Sequence, residues 1–264
     1  YADMEVGQES LWHYDFRYIP VELISGIYET FLAEEHKDKG AFYTPRHLAN
    51  LAVDEAFAGS ADIASEVVFD GACGSGILLT TAFRRMVGAA SGKAGRDLEF
   101  LERKDLLMRG IRGGDISKAA CRVAAFSLYL ALLEDLRPSD IARLCDDQTV
   151  KLPPLLDDIL VHGDKKGDFF SPDNPLAKPG AFTILISNPP WFEPKVSDRD
   201  LPYETWWAEN FSRDLGKRQI AEAYAFRATE LAAPGARLCL ILPIGLFYAH
   251  GGTDMLDDWV RLVR

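Results

Sequence analysis

The sequence is poor in cysteine, and its four cysteines, Cys73, Cys121, Cys145 and Cys239, lie far apart with no C-x-x-C pair. That spacing disfavours a disulfide framework or a zinc site and makes a reducing compartment the expectation. No run approaches the ~18 uncharged apolar residues of a membrane span. The most apolar stretch, Arg237 to His250, is short and interrupted by Pro243. The opening Tyr1-Ala2-Asp3 lacks the basic-then-apolar order of a signal peptide, and no initiator Met is present, which suggests a trimmed chain. Positive charge is in deficit: 29 Lys and Arg stand against 40 Asp and Glu, a net charge of −11. This argues against a basic nucleic-acid clamp within the chain. No internal repeat, low-complexity tract, Ser-His-Asp order, metal-ligand cluster or endonuclease motif stands out. His47, His162 and His250 are isolated and read as structural or surface residues.

What is present fits a globular domain. The chain has 264 residues, 48% hydrophobic and 26% charged, which excludes wholesale disorder and suits one large domain or a core with a small appendage. Apolar residues recur at helical spacing from Ile19 to Glu35, predicting an amphipathic helix that His36–Gly40 breaks. A second helix is expected from Pro45, with Thr44 as its cap. Beyond residue 60, strand candidates (Glu66–Asp70, Ile111–Asp115, Ile159–His162, Phe182–Ser187, Arg237–Leu242) alternate with helices (Ile77–Met86, Asp97–Arg109, Lys118–Leu133, Ile220–Leu231). The alternation predicts an α/β fold, a doubly wound and mostly parallel sheet with both faces covered, preceded by an N-terminal helical segment over 1–38. Arg137–Pro154, Lys165–Pro179 and Phe192–Lys217 read as insertions.

In such sheets ligands bind at the carboxyl ends of strands, near the reversal of strand order. Three features cluster there. Asp70-Gly71-Ala72-Cys73-Gly74-Ser75-Gly76 lies between strand and helix, where glycines allow a tight turn and the helix offers N–H donors. Its spacing is not the G-x-G-x-x-G of a dinucleotide site, and it lacks the Lys-Ser/Thr of a P-loop. A plain connecting turn is the blander alternative. Asp115, at the end of the next strand, could accept hydrogen bonds from ribose hydroxyls or cap the helix at Lys118. Asn188-Pro189-Pro190-Trp191 follows a third strand. Its prolines remove two N–H donors and leave carbonyl acceptors, Asn188 adds another acceptor, and Trp191 offers a stacking face. That arrangement suits a planar heteroaromatic amine.

Together, Phe69–Gly76 (FDGACGSG), Asn188–Trp191 (NPPW) and Gly40–Pro45 (GAFYTP) resemble the S-adenosylmethionine-dependent, amino-methylating DNA methyltransferases. Most similar are the modification subunits of type I restriction systems and the fused type IIG enzymes. The likeness runs from about Ile19 to Tyr248. The resemblance implies a catalytic domain over 39–264 that transfers a methyl group from S-adenosylmethionine to adenine N6 in duplex DNA by base flipping, within a restriction-modification or phage-defence system. It implies that Phe42, Tyr43, Thr44 and Pro45 close over the methionine end of the cofactor. Asp70, Ala72, Gly74 and Gly76 would form its main pocket, and Asp115 would hold the ribose. Asp164 would bind the cofactor adenine, with Asp168 a nearby competitor. Asn188, Pro189, Pro190 and Trp191 would form the catalytic, base-binding loop.

One departure is Gly71, where these proteins usually carry Pro, so a more flexible loop is expected. An RNA or protein-glutamine methyltransferase, or a catalytically silent DNA-binding or assembly subunit, are the alternatives. Trp206 and Trp207 could line a DNA channel or simply pack. The family implies a prokaryotic cytoplasmic protein, no membrane and no metal, with a target-recognition domain or specificity subunit outside this chain. On that reading the negative charge marks a catalytic fragment that binds cofactor better than DNA.

Overall fold

The computed structural model describes residues 44–136, 151–191, 194, 201–248 and 252–263. The helix expected over Ile19–Glu35, together with Phe42, Tyr43, Cys145 and His250, lies outside the described residues.

Among the described residues, five strands form one parallel sheet: β1 (Val68–Asp70), β2 (Ile111–Asp115), β3 (Leu160–His162), β4 (Ile184–Ser187) and β5 (Arg237–Leu240). Their order is β3-β2-β1-β4-β5. Val68 pairs with Ile111 on one side and Ile184 on the other, and Asp115 pairs with His162. The strands are short, and the inner ones are buried on both faces, as expected of a parallel sheet covered by helices.

Successive strand residues point to opposite faces, and the two hydrophobic layers follow that alternation. Val68, Ile111, Leu160, Ile184 and Ile186 face one layer. It is completed by helices α1 (Arg46–Phe57), α2 (Ile77–Ala94), α3 (Phe100–Gly110) and α4 (Lys118–Leu133). Phe69 and Leu185 face the other layer, with helices α5 (Pro202–Asn210) and α6 (Ile220–Leu231). Full burial of side chains such as Phe83 and Leu79 on the first face and Phe226 on the second stabilises the sandwich by roughly 1.5–3 kcal/mol each. Helices α7 (Gly245–Tyr248) and α8 (Gly252–Leu262) follow β5.

Several boundaries differ from the sequence expectation for identifiable reasons. Helix α2 continues past Met86 to Ala94, through Gly88 and Gly92 at a cost of about 1 kcal/mol each, and ends where Gly95 (φ +67) supplies a left-handed cap. Helix α3 begins at Phe100 rather than Asp97, since the Glu102 carboxylate accepts the Glu99 N–H at 2.9 Å and sets the start. Within Phe192–Lys217, read from sequence as an insertion, Pro202 opens α5, whose Tyr203, Trp206 and Trp207 are buried at i, i+3, i+4 spacing. Both tryptophans pack in the second layer: Trp206 is 8% and Trp207 3% exposed. Their indole N–H groups are satisfied internally, by Glu230 Oε2 at 3.1 Å and the Arg213 carbonyl at 2.8 Å. The packing alternative therefore holds, and neither tryptophan lines a channel.

Candidate active site

Strand order reverses between β1 and β4, since the chain builds outward from β1 to β2 and β3 before returning to add β4 and β5 on the other edge. The carboxyl ends of β1 and β4 thus form the switch point where ligands of such sheets bind. Asp70 ends β1, and Ser187 ends β4, with Asn188 directly after it.

The glycine loop leaving β1 is tied to β2 by its backbone. Cys73 N–H donates to the Gly114 carbonyl at 2.9 Å, and Gly74 N–H donates to Asp115 Oδ2 at 3.0 Å. Gly74 (φ +52) and Gly76 (φ +81) are both left-handed. They differ in surroundings: a Cβ on Gly76 would lie 2.8 Å from the Ala124 Cβ, whereas one on Gly74 would meet nothing within 4 Å. Gly76 therefore lets the loop close on α4, while Gly74 lines open space. Ala72 N–H donates to Asp70 Oδ1 at 3.1 Å.

Asp70 is 1% exposed, and burial pushes its carboxyl up to about 7, against hydrogen bonds from Ser187 and Ala72 that pull it down. Burial also raises Asp115, opposed by the N–H groups of Ser117 and Gly74. Of the two sequence readings of Asp115, the helix cap falls to another residue. Ser117 caps α4, its hydroxyl accepting from Ala120 N–H at 3.2 Å, and Asp115 Oδ1 accepts the Ser117 N–H at 2.8 Å. Past β3, Asp164 is exposed. Asp168 is turned inward, its Oδ1 accepting the Phe170 N–H at 2.8 Å and its carboxyl raised first by burial.

The Asn188-Pro189-Pro190-Trp191 loop starts where β4 ends. Pro189 is buried and Trp191 half-buried, its indole N–H donating to the Ile241 carbonyl at 3.2 Å. The Asn188 Nδ2 donates to Thr44 Oγ1 at 3.0 Å. Thr44 is thus drawn to Asn188 and does not cap α1: the N-cap position falls to Pro45, with no side-chain cap. The sequence motif around Thr44 and the motif around Asn188 meet directly, a contact that spacing could not announce.

A family model described as N-6 DNA Methylase matches residues 21–256. The chain belongs to the N-6 DNA methylase family. Its fold resembles the type I restriction-modification methyltransferase subunit from Streptococcus thermophilus, at TM-score 0.57 and 18% identity over 95% of this chain and 45% of that one. It also resembles the type IIG restriction endonuclease BpuSI, at TM-score 0.57 and 16% identity over 91% of this chain and 24% of that one. The type ISP restriction-modification enzyme LlaBIII, solved bound to DNA, matches at TM-score 0.52 and 12% identity over 81% and 16% respectively. The chain spans less than half the length of each of these structures, and at such identities the likeness is one of fold.

Two groups at the switch point of this N-6 DNA methylase escaped sequence reasoning. Ser187 Oγ donates to Asp70 Oδ1 at 2.6 Å, and Tyr224 OH donates to Ser187 Oγ at 3.0 Å. Ser187 reads as an ordinary strand end, and Tyr224 as one more apolar-face residue of α6. Only the pairing of β1 with β4 brings them to Asp70.

Proposed function

We propose that the chain is the catalytic part of an S-adenosylmethionine-dependent DNA methyltransferase acting on adenine N6, within a restriction-modification system. The observation that carries this reading is the meeting, at one switch point, of an Asn-Pro-Pro-Trp loop with a glycine loop flanked by a buried and a half-buried carboxylate, Asp70 and Asp115. The residues suit this cofactor on electrostatic grounds. Asp70 is buried and Asp115 half-buried, the carboxyls of both are raised first by desolvation, and the groups that hydrogen-bond to them, Ser187, Ala72, Gly74 and Ser117, are all uncharged; Asp70 is further raised by Asp115 itself. A ligand carrying positive charge would offset that desolvation, and S-adenosylmethionine carries both a sulfonium and an ammonium. The open space over Gly74 gives its backbone room to approach such a ligand.

When bound, S-adenosylmethionine supplies a methyl group activated by its sulfonium. Asp70, Ala72, Gly74 and Gly76 would hold the methionine side, Asp115 the ribose, and the exposed Asp164, rather than the inward Asp168, the adenine. Thr44 and Pro45 border the same space from the start of α1, adjoining Phe42 and Tyr43. For the target base, Asn188 Oδ1 and the Pro189 carbonyl would accept the two hydrogens of the exocyclic amine. An amine so held is favoured as a pyramidal nitrogen with its lone pair directed at the methyl carbon. Because Thr44 accepts from Nδ2, the carboxamide is oriented with Oδ1 as its remaining acceptor end. Holding nitrogen and carbon about 3–3.5 Å apart and in line supplies much of the acceleration.

A base within a duplex cannot reach this loop, so it must be flipped out at a cost of a few kcal/mol. Stacking on Trp191, whose ring is pinned through Ile241, would recover roughly 1–3 kcal/mol. A target-recognition domain or specificity subunit would read the sequence, consistent with a net charge of −11 on this chain. The test is label transfer from methyl-labelled S-adenosylmethionine, with the intact protein and duplex DNA, RNA and protein offered in parallel. Label in adenine N6 of DNA supports the proposal; label only in RNA or protein overturns it.

A further inference from the structure

Beneath the site, one buried hydrogen-bonded chain joins the two loops. Tyr224 OH donates to Ser187 Oγ at 3.0 Å, Ser187 Oγ donates to Asp70 Oδ1 at 2.6 Å, and the same oxygen accepts the Ala72 N–H at 3.1 Å. Tyr224, Ser187 and Asp70 are each at most 1% exposed. Each hydroxyl has a single hydrogen to give. An ionised Asp70 accepts only, so Ser187 must spend its hydrogen there and can only accept from Tyr224. With Asp70 in that ionised state, which a cationic ligand favours, the direction of the chain is set, and so are both hydroxyl rotamers.

Tyr224 is held from both sides. Its ring stacks on Phe169 with centroids 4.0 Å apart and planes at 19°. At its tip, a Cβ on Gly71 would lie 2.6 Å from the hydroxyl and 2.4 Å from Phe169 Cδ2. The tyrosine hydroxyl and Phe169 thus fill the space that any side chain at position 71 would need. At Gly71, where a more flexible loop is expected, α6 and the segment after β3 pack into the place of the missing side chain.

We infer that Tyr224 is a positioning residue for methyl transfer, its hydroxyl locking the base-binding loop to the cofactor loop through Ser187. It touches neither substrate nor cofactor; it fixes Ser187, the residue directly before Asn188, against Asp70. This rests on the function proposed above for the two loops. The consequence is coupling: a ligand that orders Asp70–Gly76 also orders Ser187–Trp191, and the nitrogen-to-carbon geometry depends on that link.

The test uses the intact protein with Tyr224→Phe, Ser187→Ala and, as a packing control, Phe169→Leu. Hydrogen exchange is followed in peptides covering Asp70–Ile77 and Ile186–Trp191, with and without S-adenosylmethionine, alongside steady-state methylation of duplex DNA. In the wild type, the cofactor should slow exchange in both peptides. In Tyr224→Phe and Ser187→Ala, protection should persist over Asp70–Ile77 and vanish over Ile186–Trp191, with kcat down at least tenfold and KM for the cofactor within threefold. Phe169→Leu should keep the coupling. Retained protection of both peptides in the first two variants overturns the inference, as does equal loss of coupling in Phe169→Leu. The exchange readout needs only the cofactor. A wild type that shows coupled protection but methylates no DNA overturns the substrate reading and leaves the lock standing.

Discussion

The side-chain amide of Asn188 donates to the hydroxyl of Thr44 at 3.0 Å, across 144 positions of sequence. Thr44 is 5% exposed, so the bond is sheltered from water. It joins the residue before Pro45, at the head of α1, to the loop after β4 and fixes Nδ2 as the end of the Asn188 carboxamide that meets Thr44.

Removing that acceptor should cost orientation without removing the catalytic group. Thr44→Val keeps the shape of threonine and removes the hydroxyl that accepts from Nδ2, a change worth roughly 1–3 kcal/mol. A fall in kcat of about tenfold to a hundredfold follows, since 1.4 kcal/mol is a factor of ten. Thr44→Ser should restore most of it. Steady-state methylation kinetics on the two variants check this; equal loss in both would mean that the threonine methyl, not its hydroxyl, matters.

Asn188→Ala and Asp70→Ala should fail in opposite ways. The first should abolish transfer while leaving the affinity for S-adenosylmethionine largely intact, and the second should weaken the cofactor first. Calorimetric titration with S-adenosylmethionine separates them. Loss of cofactor affinity in Asn188→Ala would show that the loop has been given the wrong ligand.

The two neighbouring glycines should also part company. Gly76→Ala forces a left-handed φ on alanine and drives its Cβ to 2.8 Å from Ala124, so it should destabilise the protein by roughly 1–3 kcal/mol in a denaturant titration. Gly74→Ala meets open space and costs only the left-handed conformation, about 1 kcal/mol. Its methyl would instead intrude where the cofactor is placed, raising the dissociation constant for S-adenosylmethionine. A Gly74→Ala protein that binds the cofactor normally would remove that loop from the site.

Asp70 should make the ligand-free protein less stable as the pH rises. Its carboxyl is lifted by burial from an ordinary value of 3.8 to about 7. Between those values the folded chain keeps a proton that the unfolded chain releases, so stability is highest below the lower value and declines as pH climbs toward 7. Asp115, also raised by burial, acts in the same direction. Thermal denaturation at pH 5 and pH 7.5 should show this decline in the wild type, and a smaller one in Asp70→Asn. Cofactor binding should run the other way, because a cationic ligand favours the ionised carboxylate: affinity should weaken on acidification below about 7. An affinity that does not change with pH would place the positive charge elsewhere.

The order of strands and helices was legible because β1, β3 and β4 are short apolar runs ending at a turn residue, and helices such as α4 and α6 carry long runs of buried apolar residues. The Lys118–Leu133 and Ile220–Leu231 helices occur where the pattern placed them. Helix α5 was hidden, since Trp206 and Trp207 looked equally suited to a surface role. The motif residues Asp70, Asp115 and Asn188 were legible by chemistry and spacing. Their supports were not, because Thr44, Ser187 and Tyr224 acquire their roles through contacts made only when β1 and β4 lie side by side. Gly71 shows the same limit: its meaning lies in Phe169 and Tyr224, both far away in sequence.

The central claim is tested most directly by incubating the intact protein with methyl-labelled S-adenosylmethionine and duplex DNA, then digesting the DNA to nucleosides and locating the label. The account predicts label in N6-methyladenine, absent when Asn188→Ala replaces the wild type. Label in cytosine, or transfer undiminished by Asn188→Ala, would contradict it.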